Sequence, residues 1–548
     1  MEGKPIDFMI HHLIDAWNDT SKLILNNPTK VFNNQTQYFH DYLNIWQNSP
    51  TEHPNTFDKR FQHADWQDNV VLNTIKQCYF LFATHIEKFI SDIAEHDEKL
   101  AKKLHFYTQQ FIDASAPTNF VNINPDVLSK TFETNGANLV DGLKQFLEDI
   151  SHGSTIKIAD FDVFKVGENI ACTPGKVIYQ NDLMQLIQYS PTTQKIYQNP
   201  LLIIPPWINK YYILDLQPEN SFVKWLVGNG VTVFMISWVN PTSLHRDKQF
   251  ENYMVEGPLT AFDIIKKLIN ADTINALGYC VGGTLLACTL AYLAKHNLAY
   301  VGSATFLTTL LDFSEPGELG NFIDEKQISF LEDHMKTNGY LDGNIMAAVF
   351  NSLRANDLIW SSFINNYLKG QKPKAFDLLH WNSDATNIPE KVHSFYLRNM
   401  YLNNHLVKRN QISLGDTPLD LANITIPSYF LATHDDHIVP WTTCYKSKQN
   451  LGGPVKFVLA SSGHVAGVIN PPHKNKYGYW TNTARIKRAD NFLKTAKFHT
   501  GSWWNDWEKW LVKYSGELCS ADALHFANQT VIEDAPGSYV KVRLFNSR

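Results

Sequence analysis

The stretch INALGYCVGGTLLAC, Ile274 to Cys288, constrains this chain more than any other. Apolar and small residues rise to Gly278, Cys280 follows two positions later, Gly282 and Gly283 come next, and then an apolar helical run begins. That order describes a strand, a sharp turn and a helix. Glycines flank such a turn where the tip residue's backbone is strained and strand and helix pass too close for side chains. Cys280 stands at the tip. The bland account is a small buried thiol, since free cysteines are among the most buried residues.

The nucleophile elbow G-x-S-x-G of the α/β-hydrolases has this form, here with cysteine in the place of serine. In that fold the partners follow in chain order, an acid after a late strand and a histidine after the last. After SYFLAT comes HDDHIVPW, His434 to Trp441, and after VKFVLA comes SSGHVAGVINPP, Ser461 to Pro472. Asp435 or Asp436 is the candidate acid and His464 the candidate base. A loop aspartate alone is usually a turn residue, and a lone histidine is usually structural; their joint occurrence at the expected strand ends carries the assignment. His437 competes as base, but its place on the acid loop suits a positioning or substrate-facing role.

Around this set the texture of the chain divides. Residues 1–165 read as helices with polar joints, as in WQDNVVLNTIKQCYFLFATHIEKFISDIAEHD, whose apolar positions recur three and four apart. A separate helical N-terminal domain is expected there. From 166 to 548 short apolar runs alternate with helical stretches, as expected of a catalytic domain of α/β-hydrolase fold. GKVIYQNDLMQLIQYSP resembles an antiparallel pair leading into the main sheet. PLLIIPPWI, VTVFMISWV, TINALGY, SATFLTTLL, IPSYFLATH and VKFVLASSG follow as buried strands, whose near-continuous apolar runs suit a parallel sheet covered on both faces. Roughly 110 residues separate TTLLDF, ending at Phe313, from NITIPSYFLATH, which is too long for one crossover. The segment 314–422 is therefore expected as an inserted cap, or lid, with Phe313, Trp360 and Tyr367 as candidates to keep water from the site.

Composition narrows the partners. The net charge is -6, and lysines and arginines are scattered rather than gathered into runs, so no nucleic-acid partner is expected. Six cysteines without a C-x-x-C pair fit a reducing compartment, and a cytoplasmic location is expected. Glu2, Asp7 and Asp15 stand where a secretory signal would be basic and then apolar. The richest apolar run, LLIIPPWI, is broken by Pro205 and Pro206, so no transmembrane segment is expected. His434, His437 and Cys444 lack a second cluster, and neither a metal nor any other cofactor is expected.

YCVGGT, DDHIVPW and GHVAGVINPP, together with PPWINKYYILDLQPENS, TTLLDF, WNSDATNIP and HTGSWWNDW, resemble the motifs of the polyhydroxyalkanoate (poly-3-hydroxybutyrate) synthases, class I in particular. The resemblance runs from about residue 150 to the C-terminus and is weaker across the N-terminal helices. It implies Cys280 as nucleophile, His464 as base and Asp436, not Asp435, as acid. It also implies an acyltransferase that moves the acyl group of an (R)-3-hydroxyacyl-CoA, chiefly 3-hydroxybutyryl-CoA, onto the cysteine, releases CoA and joins the units into a polyester. Exchange of one thioester for another keeps the acyl group activated, which a serine ester would not. The implied partners are acyl-CoA, the growing polyester chain, a polymer granule surface and a second copy of the chain in a homodimer.

The oxyanion would meet the backbone N–H of Val281 and a second amide from the loop after LLIIPPW. Pro205 and Pro206 lack that donor, which leaves Trp207 or Ile208. Either His464 or Asp436 would activate the incoming 3-hydroxyl. Trp381, in WNSDATNIP, is expected near the mouth of the site or a dimer contact. Trp503, Trp504, Trp507 and Trp510 form a helical stripe that is core or touches polymer. Two rivals stand beside this assignment: a hydrolase on the same fold, and a granule-binding scaffold without activity.

Overall fold

In a computed structural model of the chain, the described residues are 5–47, 58–151, 156–160, 162–269, 271–373, 375–484, 486–524 and 530–544. They divide into two compact units, Met1–Asp160 with Ala348–Phe376, and Phe161–Ala347 with Asp377–Arg548.

The first unit is helical, with its longest helices at Pro5–Asn26, Pro28–Gln47, Val70–Ile93, Glu98–Ala114 and Ala137–Ser151. Their starts are written locally. Asn69 accepts from the Val71 and Leu72 amides, and Asp97 accepts from that of Leu100, so each satisfies donors that a helix leaves unpaired at its N-terminus. Phe61, Trp66, Tyr79, Ile112 and Ala116 make a small core. The stretch Ala348–Phe376, inside the segment expected as a cap, groups with these helices. Arg60 reaches both Asp113 and Asn356, and the Tyr367 hydroxyl donates to Asp149 at 2.6 Å. Gly142 lies so close to the Tyr367 carbonyl that a Cβ there would overlap it. Trp360 packs on Phe363, and Tyr367 on Phe146. Both aromatics expected at the site from this stretch therefore pack within the helical unit.

The second unit is built on one mixed sheet. Its strands are β1 (Gly175–Gln180), β2 (Met184–Tyr189), β3 (Leu201–Ile204), β4 (Val233–Trp238), β5 (Ile274–Tyr279), β6 (Val301–Leu307), β7 (Ser428–Thr433), β8 (Val455–Ala460), β9 (Gly478–Thr481), β10 (Lys497–Thr500) and β11 (Glu533–Asp534). They lie in the order β10-β9-β8-β7-β6-β5-β3-β4-β2-β1-β11. The centre, from β8 through β4, is parallel throughout, and β1, β2, β9, β10 and β11 add antiparallel flanks. β2 through β7 are buried at every residue except Gly302, as covered parallel strands require. The helix Val281–Lys295 covers the sheet beside β5 and is apolar around most of its circumference, because it too is enclosed.

The strand order reverses next to β3, which lies between β5 and β4, and the loops at the C-terminal ends of β3, β5, β7 and β8 gather there. Between β6 and β7 the unit keeps short helices at Glu325–Asn338, Asp377–Ser383 and Glu390–Tyr396, the last running on through Leu402. Trp503, Trp504, Trp507 and Trp510 are all buried in the main core, against Phe222 and Trp225 on the helix Phe222–Gly228 and its neighbours. The tryptophan stripe is core. Among the described residues no helix is long and apolar enough to cross a membrane.

Candidate active site

Cys280 follows β5 and caps the helix Val281–Lys295 with φ 53° and ψ −125°. Few residues with a side chain adopt a positive φ, and the surroundings impose it here. The Cys280 amide donates to the Leu307 carbonyl at 2.9 Å, and its own carbonyl accepts from Gly283 at 2.9 Å. A Cβ on Gly278 would overlap Gly283, and one on Gly283 would overlap Thr309. One on Gly282 would overlap the Ile204 carbonyl and Pro205. The glycines thus let the elbow close against the loop after β3, which carries Trp207 and Ile208. Val281, next to Cys280, is the first residue of its helix, where an amide has no intrahelical acceptor.

Asp436 follows β7 and is held by its own turn. One carboxylate oxygen accepts from the Ile438 and Val439 amides at 2.9 and 2.8 Å, and the other accepts from the Thr433 hydroxyl at 3.0 Å. That second oxygen also meets His464 Nδ1 at 2.7 Å, with both side chains buried. With Nδ1 committed to Asp436, Nε2 is the nitrogen left to face Cys280, which lies within electrostatic reach of the imidazole. Burial opposes charge on His464, but Asp436 and Cys280 together outweigh it and carry its pKa up to about 10. The three side chains thus come together at one site, with the imidazole fixed on the carboxylate.

Asp435 faces the other way. It is 66% exposed and pairs with neighbouring His434 at 2.7 Å. His437 is half-buried on the same loop, and its carbonyl lies against Gly317. Cys288 and Cys444 are fully buried, and burial pushes each thiol up to about 12. Trp381, expected to face substrate or a second protomer, is 6% exposed in the core, with its indole N–H donated to the Lys210 carbonyl at 2.7 Å. Of the two roles expected of Trp381, positioning or facing substrate, this enclosed setting is compatible with the first.

Several residues at the site carry no sequence signal of their own. Tyr279 stacks on the His464 ring at 5.8 Å and 22°. The indoles of Trp503 and Trp504 donate to the Val468 carbonyl, and that of Trp503 also to Gly467, which ties the loop of His464 to the core. Tyr396 and Tyr401 lie within electrostatic reach of Cys280, and burial raises both phenols first and most. Phe313 contacts both rings, at 5.9 and 5.0 Å, and Trp207 contacts Tyr396 at 6.2 Å. Beside the thiol stands an aromatic wall, with Phe313 and Trp207 buried and Tyr396 and Tyr401 half-buried, able to limit the access of water to a bound acyl group.

Comparison with known proteins bears on this arrangement. Residues 57–226 match the model of the poly-beta-hydroxybutyrate polymerase (PhaC) N-terminus, and residues 200–471 match that of the alpha/beta hydrolase fold. The second match begins at β3 and ends just beyond His464. Among curated proteins, the chain is 45% identical to a poly(3-hydroxyalkanoate) polymerase of Methylorubrum extorquens, over 95% of this chain and 88% of the relative. It is 42% identical to a poly(3-hydroxyalkanoate) polymerase subunit PhaC of Rhizobium etli, over 97% and 86%. It is 39% identical to the corresponding subunit of Cupriavidus necator, over 94% and 89%.

Proposed function

The chain belongs to the poly(3-hydroxyalkanoate) polymerases, which are acyltransferases of α/β-hydrolase fold, and on the geometry of Cys280, His464 and Asp436 we propose how it works and on what. The substrate is an (R)-3-hydroxyacyl-CoA, chiefly 3-hydroxybutyryl-CoA, and polymerisation passes through an acyl-cysteine at Cys280. The single observation that carries this reading is the buried 2.7 Å contact of His464 with Asp436, on an imidazole within electrostatic reach of Cys280.

His464 takes the proton of Cys280, and the thiolate attacks the thioester carbonyl. The resulting oxyanion is met by the Val281 amide and by Trp207 or Ile208. As the intermediate collapses, the bond from carbonyl carbon to the CoA sulfur breaks, and the imidazolium returns its proton to the departing thiolate. CoA leaves, and the acyl group remains on Cys280 as a thioester. A 3-hydroxyl then attacks that thioester, an ester forms, and the cysteine thiolate departs. His464 is the immediate base for the hydroxyl, because the oxygens of Asp436 are already occupied by Thr433, Ile438, Val439 and His464 itself. Asp436 orients the imidazole and stabilises its cation. Phe313, Tyr396 and Tyr401 keep water from the acyl-enzyme.

The product is an apolar polyester, so the working environment includes the surface of a polymer granule in the cytoplasm, with the chain as a homodimer. Mixing the protein with 3-hydroxybutyryl-CoA, quenching within one turnover and digesting tests the assignment. An adduct of one hydroxybutyryl unit on Cys280, followed by polymer with CoA release, is the expected result. Free 3-hydroxybutyrate in place of polymer would make it a thioesterase instead.

A further inference from the structure

The loop after β3 is gripped from one short segment. The Thr386 hydroxyl donates to the Trp207 carbonyl at 2.8 Å, Asn209 forms an isolated antiparallel bridge with Ala385, and the Trp381 indole donates to the Lys210 carbonyl. Beneath these contacts lies an ion pair with almost no exposure to water. Lys210 Nζ meets Asp384 Oδ1 at 2.8 Å, with the two side chains 4% and 2% exposed. The other oxygen of Asp384 accepts from the Tyr212 hydroxyl at 2.9 Å, and Nζ donates again to the Val542 carbonyl at 2.8 Å. On its opposite side the loop presses on Gly282 of the elbow.

Burial of two charges is costly, and well-packed apolar residues of similar volume usually serve stability as well or better. What the pair supplies that apolar residues would not is direction: Lys210 is fixed to one oxygen and one carbonyl, and its backbone is fixed with it. Trp207 and Ile208, whose amides are the candidate second oxyanion donor, lie three and two positions before Lys210 in the chain. Such a donor works only within about 2.7–3.1 Å of the forming oxyanion.

We propose that Lys210 and Asp384 are positioning residues which, with Trp381, hold the loop after β3 so that its amide meets the oxyanion formed when Cys280 is acylated. The inference rests on the acyl-cysteine assignment made above.

The test is a double variant, Lys210→Met with Asp384→Leu, which removes both charges together and leaves neither partner buried alone. Three quantities are measured: the thermal midpoint, the rate of acyl-Cys280 formation from 3-hydroxybutyryl-CoA, and the rate of Cys280 alkylation by iodoacetamide. Alkylation is displacement at a saturated carbon and forms no oxyanion, so it reports on the thiolate and His464 alone. The expected result is a folded protein that alkylates at the rate of the unmodified enzyme. Its acylation falls by roughly tenfold or more, the effect appearing in kcat rather than KM.

Acylation at the unmodified rate would overturn the proposal, since a merely structural pair is replaceable in this way. Equal loss of both rates would also overturn it, by moving the defect to the thiol and imidazole. Should the double variant fail to fold, Trp381→Phe, which keeps most of the volume and loses the bond to the Lys210 carbonyl, is read by the same two rates and the same criteria. Absence of any adduct on Cys280 in the unmodified protein would instead remove the acyl-cysteine assignment, a result distinguishable from each of these.

Discussion

In the helical unit Trp17, Leu25, Phe32, Phe39, Trp46 and Phe132 are each more than 60% exposed, whereas in the α/β unit Trp503, Trp504 and Trp507 are at most 1% exposed. Both regions are rich in large apolar residues, but the helical unit encloses only a small set around Phe61, Trp66 and Tyr79. The reason is geometric. A parallel sheet covered on both faces leaves its strands and the helices on them nowhere to go but inward, while a short helix covers its neighbour along a single stripe. Large apolar residues in the second unit therefore pack the core that carries the site, while many of those in the first stand exposed.

The sharpest way to break this contrast is at the elbow. Cys280→Ala should abolish CoA release from 3-hydroxybutyryl-CoA, and Cys288→Ala should leave it largely intact; loss of activity on Cys288→Ala alone would deny that the elbow holds the nucleophile. Next in size, Asp436→Asn should lower the turnover number by about 10²-fold or more, since it leaves the imidazole without its partner. Asp435→Asn, on an exposed side chain bonded to His434, should change it less than threefold, roughly the scale of surface changes. The reverse order would mean that the other carboxylate serves His464.

Trp507→Ala should then cost about 3–5 kcal/mol in denaturant unfolding, the range for emptying a packed aromatic site, and it also strands the Thr305 hydroxyl. A cost near zero would show the core able to collapse around the gap.

The pH dependence of stability comes next. The folded pKa of His464, about 10, lies above the ordinary imidazole value near 6.5. Protonation therefore favours the folded state, so this contribution is fully present below about pH 6.5 and fades as pH rises toward about 10. Thermal midpoints of the unmodified protein and of Asp436→Asn should converge across that interval. A gap that stays constant from pH 6.5 to 10 would show that the imidazole does not titrate there. The smallest effect belongs to the first unit: Trp17→Ser should shift unfolding by no more than about 0.5 kcal/mol, as for an exposed side chain away from any cap or ion pair. A loss of several kcal/mol would mean that something covers this residue.

How far these features were legible in the amino-acid sequence follows the same division. The runs that became β3 through β8 could be read because both faces are apolar and glycine or proline punctuates them. β9, β10 and β11 could not, being short strands with half-exposed or exposed side chains whose pairing depends on neighbours distant in the chain. Cys280, Asp436 and His464 stood out because the fold fixes their order and their places at strand ends. The choice between Asp435 and Asp436 rested on resemblance, since two adjacent carboxylates share one spacing. Tyr279, Thr433 and the indoles of Trp503 and Trp504 act through a ring face, a hydroxyl and carbonyls, none of which leaves a pattern in one dimension. Trp381 shows the same limit in reverse: its motif drew attention, but its partner is a carbonyl of Lys210, far earlier in the chain.

The loop that carries His464 is tied down by indoles that follow it in the chain, and this sets an order in time. During synthesis the thiol of Cys280 is made first and has no base until residue 464 emerges. That base has no anchor until the helix Trp504–Leu511 has been made and folded. A nascent chain that has not yet folded this helix therefore carries Cys280 opposite an imidazole loop that its indole anchors do not yet hold.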